Sequence, residues 1–339
     1  PEIHTFTLGF RQEPDRERLW QDLEWSERAA LEFQTHHRPI VFESGHDPTA
    51  LLPRIWGQFD EPILSPNTYS KYFLSEAAAD AGILGCLSGL GAEALAVRTP
   101  DKIMKKTRKH IGEDASLREM LLYDQQHLFS PEEIGGLLVN SSIDPRAVGL
   151  EVVGRYRDAI DSDDEVDVFD GVTALNLDAE KSVAMQDRTG AMNGVEIRHP
   201  FRDASLFQLA RTIPGRHKLG EDGEAKAILK AAFRDVLPEF ISRRPVIGYP
   251  SYYWDNGEVE ALKRKLLSPE GLERTGLLRP DAVETILAAD RVSTKKSRGK
   301  PTWGLLVLQA WYELHINENQ AFFDTAESDT PAIAAGFGR

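Results

Sequence analysis

Apolar and polar positions change period in blocks along the first part of the chain, and each period predicts an element. Residues 3–10 (IHTFTLGF) are rich in β-branched and aromatic side chains and end at Gly9, the pattern of a buried strand. Residues 13–33 are polar with apolar positions at helical spacing (Leu19, Leu23, Ala29, Ala30, Phe33) and predict a crossover helix. Residues 37–43 (HRPIVFE) predict a second strand. Asp47-Pro48 then predicts a helix through Trp56, with Asp as N-cap and Pro at the first helical position. A helix over 69–81 and a third strand over 83–87 follow, and that strand runs straight into Ser88-Gly89-Leu90-Gly91. Strands alternating with helices predict an α/β layer with mostly parallel strands. Past residue 100 the strand pattern fades and helical periodicity dominates, in 117–128, 131–138, 206–212, 225–236, 258–267 and 302–314. The expected organisation is an α/β portion over 1–99, a helical portion over 100–325 and a fraying Ala-, Gly-, Ser- and Asp-rich tail over 326–339. No internal repeat is present.

The chain of 339 residues is long enough for one large domain or two ordinary ones. Hydrophobic residues at 41% and charged residues at 28% exclude wholesale disorder and collagen-like repeats. No apolar run reaches the roughly 18 residues of a membrane helix, so no membrane partner is expected. Forty basic against 54 acidic residues leave a net charge of −14, which repels a phosphate backbone, so nucleic acid is not expected as a partner. The basic run Lys105-Lys106-Thr107-Arg108-Lys109 and the acidic run from Asp161 to Glu165 read as solvated faces or loops. The single cysteine, Cys86, forms no intrachain disulfide, and its flanks Ile83, Leu84 and Leu87 predict a buried thiol in a reducing, cytoplasmic compartment. Pro1 to His4 contain neither an initiator Met nor a basic segment leading into an apolar one, so no signal peptide is expected and the chain reads as starting within a longer protein.

A strand ending in Ser88-Gly89-Leu90-Gly91-Ala92-Glu93 puts small residues and free N–H groups at the carboxyl edge of a parallel sheet. Open α/β sheets bind nucleotides there, because missing side chains let the backbone approach phosphates. A plain strand-to-helix turn has the same composition. Glu93 could hold a magnesium ion bridging phosphates, or simply be an acidic residue in a helix's first turn.

Several blocks, in order, resemble the asparagine synthetase family: Ile3 to Phe10, Asp60-Glu61-Pro62, Leu87 to Glu93, Asp187-Arg188, Gly194-Val-Glu-Ile-Arg-His-Pro-Phe-Arg-Asp203, Gly223-Glu-Ala-Lys226, Leu237-Pro238, Arg243-Arg244-Pro245 and Trp303 to Leu308. The similarity is to the synthetase half of those glutamine-dependent enzymes, whose relatives include β-lactam synthetases and lasso-peptide cyclases. It implies a pyrophosphatase-type ATP-binding parallel sheet, its first strand missing here, followed by a mainly helical domain, with the active site in the cleft between them. It implies ATP and Mg²⁺, adenylation of a small-molecule or peptide carboxylate, departure of pyrophosphate, and attack by an amine to form an amide. By position, Leu8, Ser88 and Gly89 would line the adenine and ribose pocket and Glu93 would face pyrophosphate and magnesium. Lys226, on a helix starting near Gly223, would contact phosphate or be an exposed helix lysine. Glu196 and Arg198 would shape the acceptor side or form a buried ion pair at the domain junction.

Departures from the family pattern fall on catalytic positions. The phosphate-gripping Ser-Gly-Gly-x-Asp-Ser loop belongs to a strand preceding residues 3–10, and Ser44-Gly45-His46-Asp47-Pro48-Thr49 mimics it one residue short, with Pro48 where a hydroxyl is wanted. Leu90 stands where the family has Asp, Glu or Tyr, Ala94 follows Glu93 where it has Asp-Glu, and Val246 replaces a lysine. The chain also lacks the glutaminase portion. An amide ligase, a non-catalytic scaffold and one half of a split enzyme, completed by a polypeptide carrying the phosphate loop or glutaminase, all remain open. So does a homodimer.

Overall fold

The computed structural model describes residues 2–10, 20–42, 50–92, 100–125, 128–158, 160–173, 181–218, 226–244, 257–292 and 300–319. It is a mixed α/β fold, mostly helical, with small parallel sheets. The chain divides into two compact units, one of Pro1–Ser44, Ser70–Gly135 and Ser141–Pro250, the other of Gly45–Tyr69, Gly136–Asn140 and Ser251–Arg339. The expected boundary after residue 99 adjoins residues 93–99, and the tail 326–339 and the Ser44–Thr49 segment also lie outside the described residues.

The larger unit begins with a βαβ element. Strand β1 (His4–Phe10) pairs in parallel with β2 (His36–Phe42), from His4 opposite His36 to Phe10 opposite Phe42. The Trp20–Phe33 helix crosses between them and buries Leu23 and Ala30, seven residues apart and so on one face. It lies so close to β1 that a Cβ at Gly9 would fall 2.5 Å from Leu23 Cγ. On the sheet, Leu8, Ile40 and Phe42 are buried, and Phe42 meets the Phe73 ring edge-on at 5.1 Å.

A second pair, β3 (Gly85–Leu87) with β4 (Glu196–Arg198), is also parallel, and no strand pairing among the described residues joins it to β1–β2. One α/β layer was expected; two separate two-stranded parallel sheets are found. Leu84, just before β3, and Leu87, at its end, are 75% and 77% exposed, and Cys86 is partly buried rather than enclosed, with burial pushing its thiol pKa up. Helices Pro100–Ile111, Leu117–Gln125, Pro145–Asp158 and Glu165–Thr173 pack around Met104, Met120, Leu121, Val153, Val168 and Phe169. The basic run thus belongs to a helix, and its Arg108 donates to Glu165 of the acidic run at 2.8 Å. Ser116 and Glu119 exchange the reciprocal bonds of a capping box at the start of the Leu117–Gln125 helix. In the Asn67–Asp80 helix, Ser75 donates to the Thr189 carbonyl at 3.0 Å and accepts from Asn193 at 2.9 Å, which fixes the Ala184–Met192 helix just before β4.

The smaller unit is helical: Leu52–Trp56, Gly257–Leu266, Pro269–Thr275, Pro280–Val292 and Lys300–His315. The first of these starts later than expected, with Leu51 as N-cap, no side-chain cap and Pro53 in its first turn. The last is buried nearly all round, through Trp303, Leu305, Leu306, Val307, Ala310 and Leu314, and is therefore the core of its unit. Trp303 Nε1 donates to the Leu64 carbonyl and Trp311 Nε1 to the Phe59 carbonyl, each at 2.9 Å, so the Asp60-Glu61-Pro62 stretch is held on both sides. Buried Glu313 accepts from Arg274 Nε at 2.8 Å and from the Asn317 and Asn319 amides. Among the described residues no helix is long and apolar enough to cross a membrane.

Candidate functional site

The carboxyl ends of β3 and β4 gather most of the polar chemistry of the larger unit. Leaving β3, Ser88 donates its N–H to the Arg198 carbonyl at 2.8 Å, extending the parallel ladder by one bond. Its hydroxyl then accepts the Leu90 N–H at 3.2 Å, closing a local turn. Gly89 has open space on the side where a Cβ would project, and Gly91 turns the chain at φ +93°. A Cβ on Gly91 would fall 2.4 Å from Arg202 Cδ, so only glycine lets that arginine lie across the turn.

The approach to β4 follows from local chemistry. Gly194, at φ +70°, ends the Ala184–Met192 helix, and the Val195 N–H returns to the Gly190 carbonyl at 2.9 Å. Gly190 must lack a side chain, because its Cβ would lie 2.6 Å from Val195 O and 2.8 Å from Ile197 Cγ1. Beyond β4, Asp203 Oδ1 accepts the N–H groups of Ser205 and Leu206 and caps the Ala204–Thr212 helix.

Glu196 and Arg198 are two residues apart on one strand and so share a face. They form a two-bond fork, Nε to Oε1 and Nη2 to Oε2, each 3.0 Å. The pair is solvent-exposed, 63% for Glu196 and 67% for Arg198, which overturns the buried ion pair as a reading of these residues: their face of β4 is uncovered. The hydrogen bonds and charge of Arg198 hold the Glu196 carboxyl below the ordinary carboxylate range, and those of Glu196 push the Arg198 guanidinium up. His199, next along the chain, is buried to 8% exposure, with Nε2 3.1 Å from Asp187 Oδ1 and Nδ1 buried without a hydrogen-bond partner among the described residues. Arg202 lies with its Cζ 5.1 Å from the Phe207 ring centroid, and its Nη1 is buried without a hydrogen-bond partner among the described residues.

Ser88, Gly89, Glu196 and Arg198 are thus brought together by the β3–β4 pairing. Leu8 is on the other sheet, buried at 7% exposure opposite Ile40. Lys226 is not on a helix begun near Gly223: residues 221–225 lie outside the described ones, and Lys226 is the N-cap of Ala227–Ala232 at φ 68° and ψ 19°. That left-handed backbone cannot continue a right-handed helix. Glu93, Ala94 and Val246 lie outside the described residues. No group of three potential metal-ligating side chains occurs among the described residues. Asp187, His199 and Arg202 were not singled out from the sequence, although all three fall within blocks that carry the resemblance. Their pairing, or lack of it, appears only once β4 is docked.

The asparagine synthase family model matches residues 1–313. Curated relatives include asparagine synthetase [glutamine-hydrolyzing] 1 of Bacillus subtilis, 23% identical over 94% of this chain and 53% of that protein. The putative glutamine-hydrolyzing asparagine synthetases of Mycobacterium bovis and Mycobacterium tuberculosis are each 21% identical over 94% of this chain and 52% of theirs. The chain spans about half the length of these relatives.

Proposed function

The chain belongs to the asparagine synthase family, and on that premise we propose that it is the synthetase part of an ATP-dependent amide-forming ligase with a pyrophosphatase-type sheet. In this reading a small-molecule or peptide carboxylate attacks the α-phosphorus of ATP and the bond to pyrophosphate breaks. An amine nitrogen then attacks the acyl carbon and AMP departs with the bonding pair. The observation that carries the reading is the 2.8 Å bond from Ser88 N–H to the Arg198 carbonyl. It joins a glycine turn, open where a Gly89 Cβ would project, to the strand bearing the Glu196–Arg198 fork, which this reading takes as the nucleotide side and the acceptor side.

Ser88 and Gly89, with Leu8, would line the nucleotide, and Lys226 would contact phosphate. Glu196 and Arg198 would orient the acceptor, since an exposed guanidinium–carboxylate fork can exchange one partner for a substrate carboxylate or ammonium. A bound magnesium ion would screen charge developing on the departing pyrophosphate, with Glu93 as its assigned ligand. The ammonia or amine source would be a glutaminase portion or a separate amine substrate. Exchange of labelled pyrophosphate into ATP, with magnesium and a panel of carboxylic acids, tests the reaction; no exchange with any acid would sink the ligase reading.

One observation favours a second reading. The apolar residues Leu84, just before β3, and Leu87, at its end, are exposed, as they would be if a further strand, carried by a complementing polypeptide with its own phosphate loop, completed the sheet. A scaffold without catalysis is the limiting case, consistent with leucine at position 90, which can neither bind magnesium nor accept a proton. A second protein that copurifies and restores exchange would separate the two.

A further inference from the structure

Among the described residues, the charged side chains at the carboxyl ends of β3 and β4 have polar partners, Arg202 excepted. Glu196 forks onto Arg198, Asp187 faces His199, and Asp203 is committed to the N-terminus of the helix it caps. Arg202 has no carboxylate or carbonyl partner among the described residues. Four other partly buried arginines, Arg38, Arg108, Arg157 and Arg244, each reach one. Its guanidinium instead rests near the Phe207 ring, with Nη1 buried and unbonded. Burying a donor of a charged group without a partner is costly, and such groups in folded proteins ordinarily meet an acceptor. Gly91 makes the placement: its missing side chain leaves room for Arg202 Cγ and Cδ against the turn.

We propose that Arg202 is an anion-binding residue for condensed phosphate, engaging the pyrophosphate end of a nucleoside triphosphate held at the Ser88–Ala92 turn. This rests on the nucleotide reading of that turn and adds to it a residue outside those already assigned. A planar guanidinium offers several fixed donors that match phosphate oxygens, and resting on an aromatic ring orients it without using them. In a chain of net charge −14, a polyanion needs a local uncompensated cation to approach.

Calorimetric titration of the full chain with magnesium pyrophosphate, ATP and adenosine tests the assignment, with Arg202→Gln and Arg202→Lys alongside. Pyrophosphate and ATP should bind roughly tenfold or more weakly to Arg202→Gln, the size of a lost charge-assisted hydrogen bond, and to an intermediate degree to Arg202→Lys. Adenosine affinity and Tm should hold. In the unmodified chain, the Arg202 Nε–H NMR signal, identified by its absence from Arg202→Lys, should move on adding pyrophosphate, which tests the assignment even if Arg202→Gln does not fold. Unchanged pyrophosphate affinity in Arg202→Gln, or an unmoved Nε–H signal at saturation, overturns it. So does an equal loss for adenosine accompanied by a fall in Tm, which would make the role one of packing. If the unmodified chain binds neither ATP nor pyrophosphate, this assignment and the ligase reading fall together. If binding depends on Arg202 but no exchange occurs with any acid, only the ligase reading falls.

Discussion

Replacing Lys226 with glycine sets backbone energetics against chemistry at one candidate residue. Lys226 holds φ 68° and ψ 19°, where a Cβ crowds the carbonyl oxygen at a cost of about 1–2 kcal/mol to a non-glycine residue. Glycine avoids that cost but loses roughly 0.5–1 kcal/mol more conformational freedom on folding. The Lys230 N–H bond to the residue 226 carbonyl, 2.9 Å, involves no side-chain atom of Lys226 and survives the change. Lys226→Gly is therefore expected to be neutral or to stabilise by up to ~1 kcal/mol, about 2–4 °C in Tm for a unit of 150–250 residues. If the ammonium contacts phosphate, the same variant loses a charge-assisted bond of about 1.5–3 kcal/mol, and pyrophosphate exchange falls by roughly 10-fold to 100-fold. Lys226→Ala should lose as much exchange without gaining stability, because it keeps the strained backbone. Thermal melts and exchange assays on both variants read the two effects separately. A fall of several degrees in Tm for Lys226→Gly would show that the side chain is held by packing, and wild-type exchange in both variants would remove Lys226 from the site.

Glu313→Gln turns an amide N–H group towards either the Arg274 donor or those of Asn317 and Asn319 and should cost about 2–4 kcal/mol in urea unfolding; a loss below ~0.5 kcal/mol would refute the carboxylate's structural role. Burial pushes the Glu313 carboxyl up, but hydrogen bonds from Arg274, Asn319 and Asn317 and the Arg274 charge outweigh it and hold its pKa below the ordinary carboxylate range. That stabilisation is complete above the ordinary value and is lost as pH falls through the depressed one, so Glu313→Gln should flatten the acid limb of stability against pH. Gly91→Ala places a Cβ 2.4 Å from Arg202 Cδ at φ +93° and should cost about 2 kcal/mol or more while weakening pyrophosphate binding; unchanged melt and binding would show that the close approach is dispensable. Leu84→Lys with Leu87→Lys, at positions 75% and 77% exposed, should leave the melt within about 0.5 kcal/mol and reduce self-association in light scattering; unchanged association would place the adhesive surface elsewhere.

Elements whose reason for existing is local could be read from residue order. The βαβ element of residues 4–42 is one: each strand is a short β-branched or aromatic run, and the helix between repeats its apolar positions. The Lys300–His315 helix and the glycine turn after β3 are others. Strand β4 is different, because its three residues Glu196-Ile197-Arg198 are too few for their alternation to predict a strand; it is a strand because β3 offers it a ladder. Helices Pro100–Ile111 and Pro145–Asp158 are rich in charged residues and were not anticipated; their buried residues Met104 and Val153 join a cluster shared with the Leu117–Gln125 and Glu165–Thr173 helices. The sequence by itself determined the types of chemistry present: a glycine turn, an acidic and a basic residue two apart, and a histidine and an arginine just beyond. Only the tertiary structure decided that Glu196 and Arg198 face water, that His199 is buried against Asp187 and that Arg202 Nη1 has no hydrogen-bond partner among the described residues. Pairing and burial depend on which segments meet, and Ser88 meets Arg198 across more than a hundred intervening residues through a single backbone bond.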